Sequence, residues 1–142
     1  MAVDPGEVRV GLAVSDETET LATPHSVVRG GPGVETRIAG AAREVGAGRI
    51  VVGLAVGLDG VEGLPADRAR TLAEELSGAT GLPVELWDER FTTDLALRLR
   101  KPPRAGGRKA RAPGRSSKRS ADDAVAAAVL LQSYLDRAEA KR

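Results

Sequence analysis

No cysteine occurs in this chain of 142 residues, so neither a disulfide framework nor a thiolate metal site can be built. There is one histidine, His25. That is too few for a zinc cluster, and its place after Thr23-Pro24 in a strand-like stretch reads as structural. No apolar run approaches the roughly 20 residues that span a bilayer, and the N-terminus has no charged segment leading into an apolar one. The expectation is a soluble, cytoplasmic protein with no membrane partner. Any catalysis must rest on carboxylates, lysines or arginines.

Net charge is also nearly missing, at +1, but its distribution is uneven. Of the 21 Lys and Arg residues, eight lie within Lys101 to Ser120, a stretch without a single acid; the rest of the chain holds 13 against 20 acidic residues. That stretch has three prolines, three glycines and nothing apolar larger than alanine, so it cannot offset its ordering entropy by burial. It is expected to be a mobile basic loop over about 101–120, with the electrostatic footprint of a nucleic-acid contact.

What is present is an α/β pattern of single-domain size, residues 1–142. Val3, Val8, Val10, Leu12 and Val14 mark a short first strand and a longer second one, joined by the bend residues Asp4-Pro5-Gly6-Glu7. A polar connection over Asp16 to Thr20 leads to a third strand near Leu21 to Val28. Val34, Ile38, Ala41, Ala42 and Val45 then recur at helical spacing up to Gly46 and Gly48. Arg49 to Leu54 is a continuous apolar run of a buried parallel strand, and Gly57 to Gly63 is a glycine-rich loop. Ala66, Ala69, Leu72, Ala73 and Leu76 mark a second helix, stopped by Gly78 and Gly81. Pro83 to Asp88 is a fifth strand, Thr92 and Thr93 are N-cap candidates for a short helix through Leu99, and Ser120 with Asp123 looks like the start of a long last helix. The order predicts an antiparallel meander followed by parallel strands, with helices on the faces.

Ligands of open α/β sheets gather at the carboxyl ends of strands. Asp4, Asp59, Asp88 and Glu89 end strands or follow them, and Asp122 and Asp123 stand in the first turn of the expected last helix. Converging carboxylates repel unless a cation lies among them, and Mg²⁺ takes oxygen ligands, which is the donor set of a two-metal phosphodiester-cleaving site. Each acid also has an ordinary structural role: Asp4 and Asp59 as turn formers, Asp88-Glu89-Arg90 as an ion-pair cluster, Asp122 and Asp123 as helix-dipole partners.

DPGEVRVGLAVSD, Thr23-Pro24, IVVGL with its following Asp-Gly, WDERFTT and DAVAAAVLLQSYL together resemble the YqgF family of ribonuclease H-like proteins, which is linked to pre-16S rRNA processing and Holliday-junction resolution. The match runs in order over nearly the whole chain. It implies a ribonuclease H-like mixed five-stranded sheet and a nuclease dependent on Mg²⁺ or Mn²⁺. Its acids would be Asp4, Glu89 and Asp123, with Asp123 preferred to Asp122 because the family's aspartate directly precedes the alanine-rich run. Arg90, Lys118 and Arg119 are candidates for phosphate contacts. Only Met1-Ala2-Val3 precede Asp4, so the first strand is expected to be short, and Gly53-Leu54-Ala55 stands where the family has Gly-Leu-Pro. The expected activity is processing of the 5′ end of pre-16S rRNA by a monomer or weak homodimer. Alternatives are a resolvase acting on branched DNA and a non-catalytic RNA-binding factor. An actin-like kinase shares the Asp-x-Gly hairpin, but it would need two such domains.

Overall fold

The computed structural model describes residues 1–55, 63–91 and 115–141, with side chains given except at 91 and 115–119. The strands are β1 (Ala2–Asp4), β2 (Arg9–Ser15), β3 (Ala22–Arg29), β4 (Ile50–Leu54) and β5 (Val84–Asp88). The helices are α1 (Val34–Val45), α2 (Leu64–Thr80) and α3 (Arg115–Ala140), with a single 3-10 turn at Glu89–Phe91. They form one sheet in the order β3-β2-β1-β4-β5. The pairs β1/β2 and β2/β3 are antiparallel; β1/β4 and β4/β5 are parallel. The mixed five-stranded sheet read from the sequence is therefore observed.

β1 is short, as expected, yet it is the central strand. Ala2 and Val3 are fully buried, and the ladder extends one step further through the Val51 amide, which donates to the Met1 carbonyl at 2.9 Å. The strand alternation divides the core by face. Val3, Val10, Leu12, Ile50 and Val52 point towards α1 and α2, where Ile38, Leu72 and Leu76 meet them. Ala2, Ala13 and Val51 point the other way, under α3, where they meet Ala127, Leu130, Leu131 and Leu135. Each large aliphatic side chain so buried contributes about 1.5–3 kcal/mol.

The register of α3 on its face is fixed by polar ties. The Gln132 side chain accepts from the Ala22 amide and donates to the Thr20 carbonyl, both at 2.9 Å. Tyr134 stands edge-on to Trp87 with centroids 5.4 Å apart, and its hydroxyl donates to Glu85 at 2.8 Å. Asp16 Oδ1 accepts from the amides of Thr20 and Leu21, which closes the β2–β3 connection predicted there.

Two boundaries differ from expectation. α3 begins at Arg115 rather than Ser120, so the last six residues of the expected basic loop are helical. Arg and Lys are good helix formers, and the helix extends upstream by propensity although the sequence there, Arg115 to Ser120, offers no apolar residue. α2 also runs through Gly78 and stops at Gly81, whose φ of 68° is the left-handed turn that ends it. Gly78 is exposed, and its cost of about 1 kcal/mol is carried by the packing of Leu76 and Ala73. Asp59, the helix expected from Thr92 and Thr93, and most of the basic loop lie outside the described residues.

Candidate active site

The sheet ends that carry Asp4, Leu54 and Asp88 point the same way, because β1, β4 and β5 are parallel. The start of β2 and the end of β3 share this edge, since Arg9 pairs with Arg29 and Asp4 with Gly11. Asp4 is on the same face as Ala2, so its carboxyl lies under α3. Glu89, in the 3-10 turn after β5, folds back to the same place and shares a hydrogen bond with the Asp4 carboxyl.

Two glycines make this convergence possible. A Cβ at Gly11 would lie 2.0 Å from the Asp123 carbonyl oxygen, so the acidic turn of α3 rests directly on the β2 backbone opposite Asp4. A Cβ at Gly53 would lie 2.4 Å from Leu130 Cδ1 and 2.7 Å from Glu89 Oε1. Neither notch was singled out from sequence, although a glycine inside a strand is a recognised sign of close backbone approach.

The electrostatic result is a strained carboxyl. Burial first, then the charge and hydrogen bond of Glu89, then the charge of Asp123, raise the Asp4 pKa to about 7. Asp123 is half-buried, whereas Asp122 is exposed. Asp123 is also engaged: Arg9 Nε donates to its Oδ2 at 2.7 Å, across 114 residues of sequence. Among the described residues no group of three or more acidic or histidine side chains stands close enough to enclose an ion as it is. Two of the three predicted acids touch, and the third is drawn onto an arginine.

The donor chemistry nevertheless fits a hard divalent cation. All three groups offer carboxylate oxygens, and their mutual repulsion, visible at Asp4, is what such an ion would relieve. The other predicted residues are less central. Arg90 is held by Asp88, with Nη2–Oδ2 at 2.7 Å and Nε–Oδ2 at 2.9 Å, and this guanidinium keeps the Asp88 carboxyl below its usual range. Lys118 and Arg119 lie on the first turns of α3, but their side chains are outside the described set. His25 is exposed beside Ser26, with Nδ1–Oγ at 2.8 Å. Arg9 was missed altogether; its signal in the sequence is only a lone cation at the start of an apolar strand.

Comparison with known proteins agrees with the geometry. A family model described as RuvX, Holliday junction resolvase, matches residues 1–137. A relative in Thermobifida fusca is 44% identical over 138 residues, covering 96% of this chain and 86% of its own. One in an Anaeromyxobacter species is 44% identical over 145 residues, covering 96% and 95%. Both carry the name "Putative pre-16S rRNA nuclease". The structure of Thermus thermophilus RuvC in complex with a Holliday junction substrate superposes with a TM-score of 0.56 at 18% identity, covering 96% of this chain and 93% of that one. It establishes the ribonuclease H-like fold. With a family model spanning almost every residue and relatives at this identity, the chain belongs to the RuvX family, the YqgF family that its motifs resemble.

Proposed function

We propose that this protein hydrolyses phosphodiester bonds in structured RNA and processes the 5′ end of the small-subunit rRNA precursor in the cytoplasm, using Mg²⁺ or Mn²⁺. The observation that carries the reading is the crowding of Asp4 against Glu89, with Asp123 close by, at the carboxyl ends of three parallel strands. Asp4, Glu89 and Asp123 would hold the metal, which when bound supplies an activated water and neutralises charge at the phosphorus. Asp4 is central to the set, because both other acids act on it. Gly11 and Gly53 keep α3 and Glu89 at the required distance from it. Arg90, Lys118 and Arg119, with the rest of the 101–120 segment, would give salt-dependent affinity for the phosphate backbone without reading sequence.

Cleavage of precursor small-subunit rRNA by purified protein tests this, in Mg²⁺, Mn²⁺ or EDTA, beside Asp4→Asn. Cutting that requires metal and is absent from the variant is expected. Survival of cleavage in Asp4→Asn would show that the site is elsewhere.

A second reading is resolution of branched DNA, favoured by the description of the family model and by the RuvC fold. A four-way DNA junction in the same assay decides between substrates. A resolvase would cut paired strands as a symmetric dimer, whereas the rRNA reading expects a monomer or weak homodimer in sedimentation. RNA bound tightly but never cut would leave a non-catalytic binding factor.

A further inference from the structure

Arg9 is the first residue of β2, and its side chain is about one-third exposed, as is that of Asp123. Its neighbour across the antiparallel ladder is Arg29. Like charges directly opposite one another destabilise a strand pair. Here the ion pair with Asp123 draws the Arg9 guanidinium away, towards α3. Both arginines line an open groove beside the acids, walled by Val8, Val28 and Ser120. The groove runs between the edge strand β3 and Ser120, Ala121 and Ala124 of α3.

Two facts therefore meet at one side chain. The third acid of the site already has a monovalent partner, and that partner stands beside a second cation facing an open surface. We propose that Arg9 is a resident cation for Asp123, exchanged for a divalent ion when the site loads, and that the released guanidinium joins Arg29 as a phosphodiester contact in the β3–α3 groove. The inference rests on the metal-site reading given above. Arg9 is thus a positioning residue towards Asp123 in the metal-free protein and a substrate contact in the loaded one, so that metal entry and nucleic-acid binding favour each other.

The first test is calorimetric titration of Mn²⁺ into wild type, Arg9→Gln and Asp4→Asn. Removing a cation beside the carboxylates should tighten Mn²⁺ binding about three- to tenfold. Unchanged or weaker binding in Arg9→Gln overturns the exchange. The second test needs no folded variant beyond Arg9→Lys, which identifies the Arg9 Nε–H resonance in a ¹⁵N spectrum by its disappearance. In wild type that resonance should move on saturation with Mg²⁺; a resonance that stays in place also overturns the exchange. In cleavage, Arg9→Gln should raise KM by about tenfold with a smaller change in kcat, and a loss confined to kcat would remove the phosphate contact. These outcomes are separable from failure of the functional reading. If wild type binds no divalent ion, the metal site itself is wrong. If it binds one that Asp4→Asn does not, and Arg9→Gln is unaltered, only the exchange is wrong.

Discussion

The two faces of this sheet are built from different residues for different ends. Under α1 and α2 the strands present Val3, Val10, Leu12, Ile50 and Val52, large side chains that pack against Ile38, Leu72 and Leu76 of the helices. Under α3 they present Ala2, Gly11, Ala13 and Gly53 beside the larger Val51 and Trp87, and most of the bulk comes from Leu130, Leu131 and Leu135 of the helix. The first face buries area. The second lets a helix backbone come so close that the carbonyl of Asp123 sits where the Cβ of Gly11 would be. The larger apolar cluster lies on one side and the acidic site on the other.

The sharpest way to separate them is to change one residue on each side. Asp4→Asn, on the α3 face, should reduce metal-dependent cleavage by about 10³-fold or more, a loss of over about 4 kcal/mol in transition-state stabilisation. Its fold should be retained, as judged by circular dichroism. Leu76→Ala, on the opposite face, should cost about 2–5 kcal/mol in urea unfolding while the folded fraction cleaves at the wild-type rate. A Leu76→Ala protein that is stable but inactive would dissolve the comparison. Gly11→Ala should do both in part. Its new methyl forces the acidic turn of α3 outward, costing about 1–3 kcal/mol and lowering cleavage more than stability alone explains. If Gly11→Ala cleaves normally, close approach of α3 is not needed.

The smallest effect is a pH slope. Asp4 titrates at about 7 in the folded protein against an ordinary value of 3.8, so the unfolded chain gives up its proton first. Its stabilising contribution is complete below about pH 4 and is lost as pH rises through 7. Metal-free protein should therefore lose a few degrees of Tm between pH 5 and 8 relative to Asp4→Asn. The comparison with the variant matters, because burial also pulls the Met1 amino group below its usual value, a shift whose effect on stability has the opposite sign. Parallel Tm curves for the two proteins would mean that Asp4 is not strained.

Much of this was legible in the chain. Apolar periodicity located the five strands and the first two helices of the described residues, since each must bury a stripe or a face of the core. The acids Asp4 and Glu89 could be placed because strand ends are read from the pattern, and parallel strands bring their ends together. Other features were not. Ser120 looks like a cap because Ser and Asp satisfy free amides locally, yet the preceding Arg and Ser residues continue the helix without any apolar signal to mark it. The Arg9–Asp123 pair links residues 114 apart through a crossing of β2 and α3 that no local pattern encodes. The notches at Gly11 and Gly53 have the same origin, because a missing side chain acquires meaning only from what occupies its space.

The central strand is the second to fourth residues of the chain, and the helix that covers it is the last described element. At about 5–20 residues per second of synthesis, some ten seconds separate the appearance of Asp4 from that of Asp123. Through that interval a nascent chain carries an uncovered sheet face and only part of its acidic set. On the proposed reading, a protein that cuts ribosomal RNA is thereby unable to act before the ribosome making it has added Asp123.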